Sequence, residues 1–263
     1  MEAPYRAAGD VHVLPSSEAA PGFGVLPVNA FLIRDPEPVL IDTGLAIEGD
    51  DFLDTLWSLV EPDQLSWIFL THDDRDHAGN LLRVLEAAPQ ARLVMNFVAL
   101  AKLSEEWSLP LDRVTVVNPG QRFATGAREL VVLRPPVYDS PGTVGLYDAG
   151  AEVAFTADAF GTYLPELVHD LSEVSEADLR SGFVDFNRLN HPWVALVDQP
   201  KFRGALAELL RTDPGLLLSS HGVLAHGRTG TLVQEMIRIS SMEPFVAPDQ
   251  TTFESLRDDM AEG

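Results

Sequence analysis

The chain has 263 residues, of which 46% are hydrophobic, and carries a formal net charge of −22. That length allows one large domain or two small ones, and the apolar content is enough for a sizeable core. The charge argues against nucleic acid or anionic membranes as partners, since both require basic patches, while the lack of cysteine excludes disulfides, thiolate metal ligands and cysteine nucleophiles. No run reaches the roughly 18 to 20 apolar residues that span a bilayer. The first ten residues lack the basic and apolar regions of a secretion signal. The expectation is a cytoplasmic protein with no membrane and no nucleic-acid partner.

In chain order, residues 11–14 read as a strand, 24–33 as a second and 39–41 as a third, the last two split by the turn-like Asp35-Pro36-Glu37-Pro38. His12 lies in alternating strand sequence and reads as a core or surface residue. Helical spacing follows over 51–60, ending before Pro62. A strand at 92–95, a helix over 97–103, strands at 114–117 and 129–134, and a turn at Asn118-Pro119-Gly120 come next. Further strands are expected over 152–158 and at 216–220, with a helical stretch from about 165 to 211 between them. A helix over 229–239 and a tail from about 241, packing through Phe253 and Leu256, complete the chain. Helices alternating with strands on both sides of the midpoint suggest two sheets with helices outside, an αββα sandwich in the α/β class, built as a single domain over 1–263.

The densest chemical signal is Ile68-Phe69-Leu70-Thr71-His72-Asp73-Asp74-Arg75-Asp76-His77-Ala78-Gly79-Asn80. An apolar run that reads as a buried strand gives way to a short loop, and a helix is expected over 78–85. His72, Asp74, Asp76 and His77 are four potential metal ligands, and alternation in an extended loop would set His72, Asp74 and Asp76 on one side. Asp73 and Arg75 then read as solvated or structural. A capped helix N-terminus explains one carboxylate, but not two histidines bracketing two more. Buried carboxylates without a cation are costly.

The layout His-x-Asp-x-Asp-His resembles the metallo-β-lactamase-fold superfamily. Zinc hydrolases of that fold carry histidine where Asp74 stands. A carboxylate there is similar instead to the di-iron branch, which includes the flavodiiron proteins and oxygen-binding di-iron proteins. That branch usually carries Glu, one methylene longer. The resemblance, over roughly 10–240, implies the αββα sandwich as well.

It also implies roles downstream. Asp42, in Ile41-Asp42-Thr43-Gly44, would be a hydrogen-bond partner that orients a ligand, or simply a strand-ending Asx turn. In 135–143 the zinc hydrolases place a third histidine; here Asp139 is the substitute, Tyr138 its nearest replacement, and a turn-capping aspartate the plainer alternative. Asp158, in Asp158-Ala159-Phe160-Gly161, corresponds to the bridging carboxylate, and His221-Gly222 to the last ligand. The implied set is His72, Asp74 and Asp139 at one metal, Asp76, His77 and His221 at the other, and Asp158 shared. Tyr163 and His191 are further candidates for catalysis beside Asp76 and Asp158, His191 with a structural alternative. His169 and His226 read as surface residues.

Four carboxylates with three imidazoles suit two iron or manganese ions better than zinc, which prefers nitrogen-rich four-coordinate shells. Three functions remain open. The first is a non-haem di-iron oxidoreductase acting on dioxygen, nitric oxide or a small-molecule substrate, with an external electron donor such as a flavoprotein. The second is a dinuclear metallohydrolase of esters, lactones or phosphodiesters. There a bridging hydroxide oriented by Asp76 or Asp158 would attack, and Tyr163 or His191 would stabilise the oxyanion. The third is a non-catalytic oxygen sensor. A homodimer is compatible with each.

Overall fold

The computed structural model describes residues 1–126 and 128–262, apart from the side chains of residue 256 and residues 258–262. The first half builds one sheet from β1 (Tyr5–Ala8), β2 (Val11–Ala20), β3 (Gly24–Ile33), β4 (Val39–Ile41), β5 (Trp67–Phe69), β6 (Arg92–Met95) and β7 (Val114–Val116), in that spatial order. The second half builds the other from β8 (Arg122–Thr125), β9 (Arg128–Leu133), β10 (Gly145–Asp148), β11 (Val153–Phe155), β12 (Leu216–Leu218) and β13 (Ala225–His226), ordered β13-β12-β11-β10-β9-β8. β2 and β3 form a long hairpin, paired from Val11 opposite Ile33 to Ala20 opposite Gly24. From β4 to β7 the strands run parallel, as do β11 and β12. Parallel pairing aligns the C-terminal ends of β4 and β5, and of β11 and β12.

The side-chain period of two then sorts the residues into layers. Phe31, Ile41, Phe69 and Val94 of one sheet meet Leu146, Val153, Phe155 and Leu218 of the other in a shared interior. Phe31 and Phe155 pack edge to face there, with ring centroids 5.4 Å apart. The neighbouring residues Leu32, Leu40, Ile68 and Leu93 point outward onto α1 (Gly49–Trp57), α2 (Arg75–Ala78), α3 (Leu81–Ala87) and α4 (Phe97–Glu106). Ala154 and Leu217 pack likewise against α5 (Glu176–Asn190), α6 (Gln199–Thr212) and α7 (Thr229–Ile239). The result is the αββα sandwich expected from the sequence.

Several expectations change in detail. Strands β1, β8, β10 and β13 are additional; they are short or edge elements whose pairing, rather than their composition, makes them strands. The helix expected over 78–85 is two helices, and the first begins at Arg75. Asp76 and His77 therefore sit on a helical turn, not in the extended loop. The break falls at Gly79 and Asn80, where the Asn80 amide donates to the carbonyls of Thr43 and Leu45 at 2.8 and 2.9 Å. The stretch 165–211 is helical only from the capping box at Asp170 onward, because residues 164 and 170 are drawn into β-bridges with Val25 and Leu224.

In the tail, α8 (Gln250–Glu262) leaves Phe253 53% exposed, so packing through that ring does not occur; the side chain of Leu256 lies outside the described residues. Among the described residues no helix is long and apolar enough to cross a membrane.

Candidate metal centre

The site forms where the C-terminal ends of β4, β5, β11 and β12 meet at one edge of the sandwich. β4 ends in Asp42, whose backbone adopts φ 60°, a left-handed conformation rare outside glycine but tolerated by Asp and Asn. Its carboxylate is wholly buried and accepts from Thr71 N and Thr71 Oγ1, each at 2.8 Å, which ties the end of β4 to the end of β5. Gly79 permits the closest backbone approach: a Cβ there would lie 2.4 Å from Gly44 O and 2.3 Å from Ala46 N. Ala157, at φ 50°, turns the chain after β11 so that Asp158 faces the same point. Strain of this kind collects at functional sites.

Three imidazoles present the same nitrogen to this point. His77 Nδ1 is 2.9 Å from Asp42 Oδ2, which can only accept, so Nδ1 carries the proton. His221 Nδ1 donates to the Pro27 carbonyl at 2.8 Å. His72 Nδ1 lies 3.0 Å from Thr71 Oγ1, whose own proton is committed to Asp42, so that hydroxyl accepts. Each Nε2 is left facing the centre, where it can bind a cation once it has lost any proton.

The carboxylates complete it. Asp158 Oδ1 lies 3.0 Å from His77 Nε2 and 3.4 Å from His221 Nε2, while Oδ2 is 3.7 Å from His72 Nε2. Asp76 Oδ2 is 3.2 Å from His221 Nε2 and 3.6 Å from His77 Nε2. Asp74 and Asp139 each come within 3.9 Å of His72 Nε2. The donor atoms of His72, Asp74 and Asp139, of Asp76, His77 and His221, and of His72, His77 and Asp158 form three groups, each within 4.8 Å. All seven residues expected from the sequence thus converge, and Asp139 rather than Tyr138 joins them. The Tyr138 ring lies under the Arg134 guanidinium, 5.1 Å away, and beside Trp193.

The remaining candidates separate. Tyr163 is not brought into the cluster. Its ring stacks on Phe23 at 4.8 Å and meets Phe186 at 5.6 Å, and it is Phe186 that adjoins His221, at 5.4 Å. His191 is wholly buried next to the cluster, and neither ring nitrogen has a hydrogen-bond partner among the described residues. Burial pulls its pKa down to about 4, against the opposing charges of Asp158 and Asp139, so the ring is neutral. His169 and His226 are about half exposed, with side chains 48% and 49% accessible.

Asn190 was not singled out by its sequence, yet its amide donates to Asp158 Oδ2 at 3.1 Å. Its place in the last turn of α5, next to His191, was the available signal.

This donor set fits metal ions. Nε2 of His72 and His77 and Oδ1 of Asp158 are buried without a hydrogen bond among the described residues, as lone pairs aimed at one place. Left to itself the cluster must take up protons instead. Burial would lower His221, but Asp158 and Asp76 prevail and push it up to about 10. Burial likewise opposes a proton on His77, and Asp158, Asp76 and Asp42 raise its pKa well above the ordinary value. Burial would raise Asp158, but His72, His221 and His77 hold it far below the usual carboxylate range. A group of anionic and imidazole donors that demands positive charge is what a divalent or trivalent cation satisfies.

Comparison with known proteins bears on the fold and the family. The family model described as the metallo-beta-lactamase superfamily matches residues 23–221. An anaerobic nitric oxide reductase flavorubredoxin from Vibrio vulnificus is 25% identical over 212 residues, covering 80% of this chain and 42% of that protein. Among solved structures, the flavodiiron protein from Giardia intestinalis superposes with a TM-score of 0.80 at 18% identity, covering 91% of this chain and 60% of that one. Rubredoxin oxygen:oxidoreductase from Desulfovibrio gigas superposes with a TM-score of 0.79 at 18% identity, covering 92% and 62%. The chain spans 23 to 48% of the length of the curated relatives it matches. With the family model covering most of the chain, the chain belongs to the metallo-β-lactamase superfamily.

Proposed function

We propose that residues 1–263 form one domain, a non-haem di-iron oxidoreductase that reduces dioxygen or nitric oxide with electrons from an external donor. The observation that carries this reading is the donor set: four carboxylates and three imidazoles converge at one point, with no thiolate available in the sequence. Oxygen-rich shells of this kind favour iron or manganese over zinc. The relatives' names point the same way: one is a nitric oxide reductase, one an oxygen oxidoreductase and one a flavodiiron protein.

In this reading His72, Asp74 and Asp139 would hold the first iron and Asp76, His77 and His221 the second, with Asp158 available to both. When bound, the iron pair supplies a site for the diatomic substrate and the electrons for its reduction. Asp42 and the Pro27 carbonyl fix the two imidazoles at the second position through their Nδ1 protons, so that neither ring can turn its N–H toward the metal. Asn190 donates its amide to Asp158 Oδ2 and so holds the orientation of that carboxylate. His191 is a buried neutral imidazole beside the cluster, and its one N–H, with no partner among the described residues, is available to hydrogen-bond to bound substrate. Its burial beside Phe186 keeps that proton out of bulk water. Tyr163, one ring removed, has no part in this scheme.

The test is gas consumption. Iron-loaded protein, reduced anaerobically and mixed with dioxygen or nitric oxide in the presence of a chemical reductant, is expected to consume one or both catalytically. Failure to consume either, with both irons present, would exclude the reading. Reversible binding without turnover would instead make the domain a sensor.

A further inference from the structure

Two residues beside the first-metal carboxylates face away from the centre. Asp73 stands between His72 and Asp74, and Ser140 follows Asp139. Lys102, on α4, reaches both. Its Nζ lies 2.8 Å from Asp73 Oδ2 and donates to Ser140 Oγ at 3.1 Å, while Ser140 Oγ donates to Asp73 Oδ1 at 3.1 Å. Ser140 therefore accepts from one partner and donates to the other, and the three contacts close a triangle. The Asp73 side chain is only 10% exposed.

The triangle joins two loops that otherwise have reason to separate. Asp74 and Asp139 are like charges next to one another, and a carboxylate pair of this kind repels until a cation or proton arrives. The two loops are fixed at one end by Val144 N donating to Thr71 O at 2.8 Å. Lys102 fixes them again beside the two carboxylates. Aspartate has short reach, so the loops must be held close for both carboxylates to meet one ion. Lys102 is about half exposed and Asp73 keeps the Ser140 hydroxyl, so losing the ammonium costs the fold little, but it adds the uncompensated charge of Asp73 to those of Asp74 and Asp139 in the same pair of loops. The second metal position has its own supports, Asp42 on His77 and Pro27 on His221, and neither involves Lys102.

We propose that Lys102 is a positioning residue for the first metal site. Bridging Asp73 and Ser140, it sets the spacing of Asp74 and Asp139, so that occupancy of the first position depends on it and occupancy of the second does not. This rests on the two-metal reading above.

The experiment is anaerobic loading of metal-free wild type, Lys102→Met and Lys102→Arg with ferrous iron, followed by desalting and metal analysis by mass spectrometry. The melting temperature of each metal-free protein is measured alongside. Lys102→Met is expected to bind the first ion about 10- to 100-fold more weakly and to retain about one iron per chain after desalting. Its metal-free melting temperature should stay near that of the wild type, and Lys102→Arg, which keeps a cation that can span both partners, should recover the lost iron. Lys102→Met that retains both irons, or loses both, would overturn the proposal; so would a metal-free variant that melts far below the wild type, since that is ordinary destabilisation. Wild type that itself fails to take up two irons would overturn the two-metal reading beneath it, a separate result read in the same experiment.

Discussion

His77 Nδ1 lies 2.9 Å from Asp42 Oδ2, with both side chains wholly buried. The contact spans 35 residues of sequence and joins the end of β4 to the helical turn that follows β5. Asp42 also receives both donors of Thr71, and Thr71 in turn accepts from His72. One carboxylate thus fixes imidazoles at both proposed metal positions, one directly and one through a hydroxyl.

Asp42→Asn should expose this role. Asparagine tolerates the φ of 60° as aspartate does, so the backbone is not disturbed. It offers one accepting atom in place of two, leaving a Thr71 or His77 donor unmatched. The expected loss is about 1–3 kcal/mol of stability. Metal affinity should fall about 10- to 100-fold, read by competition with a chelator.

Acidity should act on the centre with two opposite signs. His221 in the metal-free protein has a pKa of about 10 and His77 is raised well above its ordinary 6.5, so both hold protons at neutral pH. Metal binding near pH 7.5 should therefore release about two protons, measurable by calorimetry in buffers of different ionisation enthalpy. These raised values contribute stability to the metal-free fold that is full below 6.5 and, for His221, lost as pH rises through about 10. His191 goes the other way. Its pKa of about 4 in the fold lies below the ordinary 6.5, so the unfolded chain binds the proton first and stability is lost as pH falls from 6.5 toward 4. His191→Gln should flatten that acid limb in urea melts, leaving the alkaline one.

Gly79→Ala tests the packing that brings the loops together. Its Cβ would meet three backbone atoms at 2.3 to 2.7 Å, and backbone cannot rotate away. The loop of 42–46 must move from α2, at a cost of about 1–3 kcal/mol. Because Asp76 and His77 ride on α2, metal content should fall together with stability, whereas a substitution on the far side of the fold should lower stability alone.

Arg128→Met supplies that contrast. The guanidinium pairs with Asp10, Asp35 and Asp148, which lie at the β1–β2 turn, the β3–β4 turn and the end of β10. This is the edge opposite the metal centre, as the pairing of Ile33 with Val39 and of Asp148 with Val153 shows. The expected loss is about 1–3 kcal/mol, discounted because the side chain is 21% exposed. Metal content should be unchanged.

Much of this candidate centre is legible in the chain because six of the seven candidate ligands stand at the ends of apolar runs. Residues 68–77, 152–158 and 216–221 each announce a strand that stops at a ligand, and the fold brings those stops together. Asp139 carried no such mark; only the place where the superfamily expects a histidine suggested it. What the sequence does not display is the supporting contacts. Asn190 meets Asp158 across 32 residues and Lys102 meets Ser140 across 38, distances at which no local pattern operates. The same limit misplaced Tyr163, because nothing in 158–163 shows that the Phe186 ring from α5 stands between it and His221.

The most direct measurement is the metal content of protein purified without added metal, by mass spectrometry, paired with its visible spectrum. The expected result is about two irons per chain, with ferric–carboxylate absorption that bleaches on reduction, since an oxygen-rich donor set prefers iron over zinc. Two zincs and a featureless spectrum, persisting after growth in iron, would contradict it and turn attention to hydrolysis.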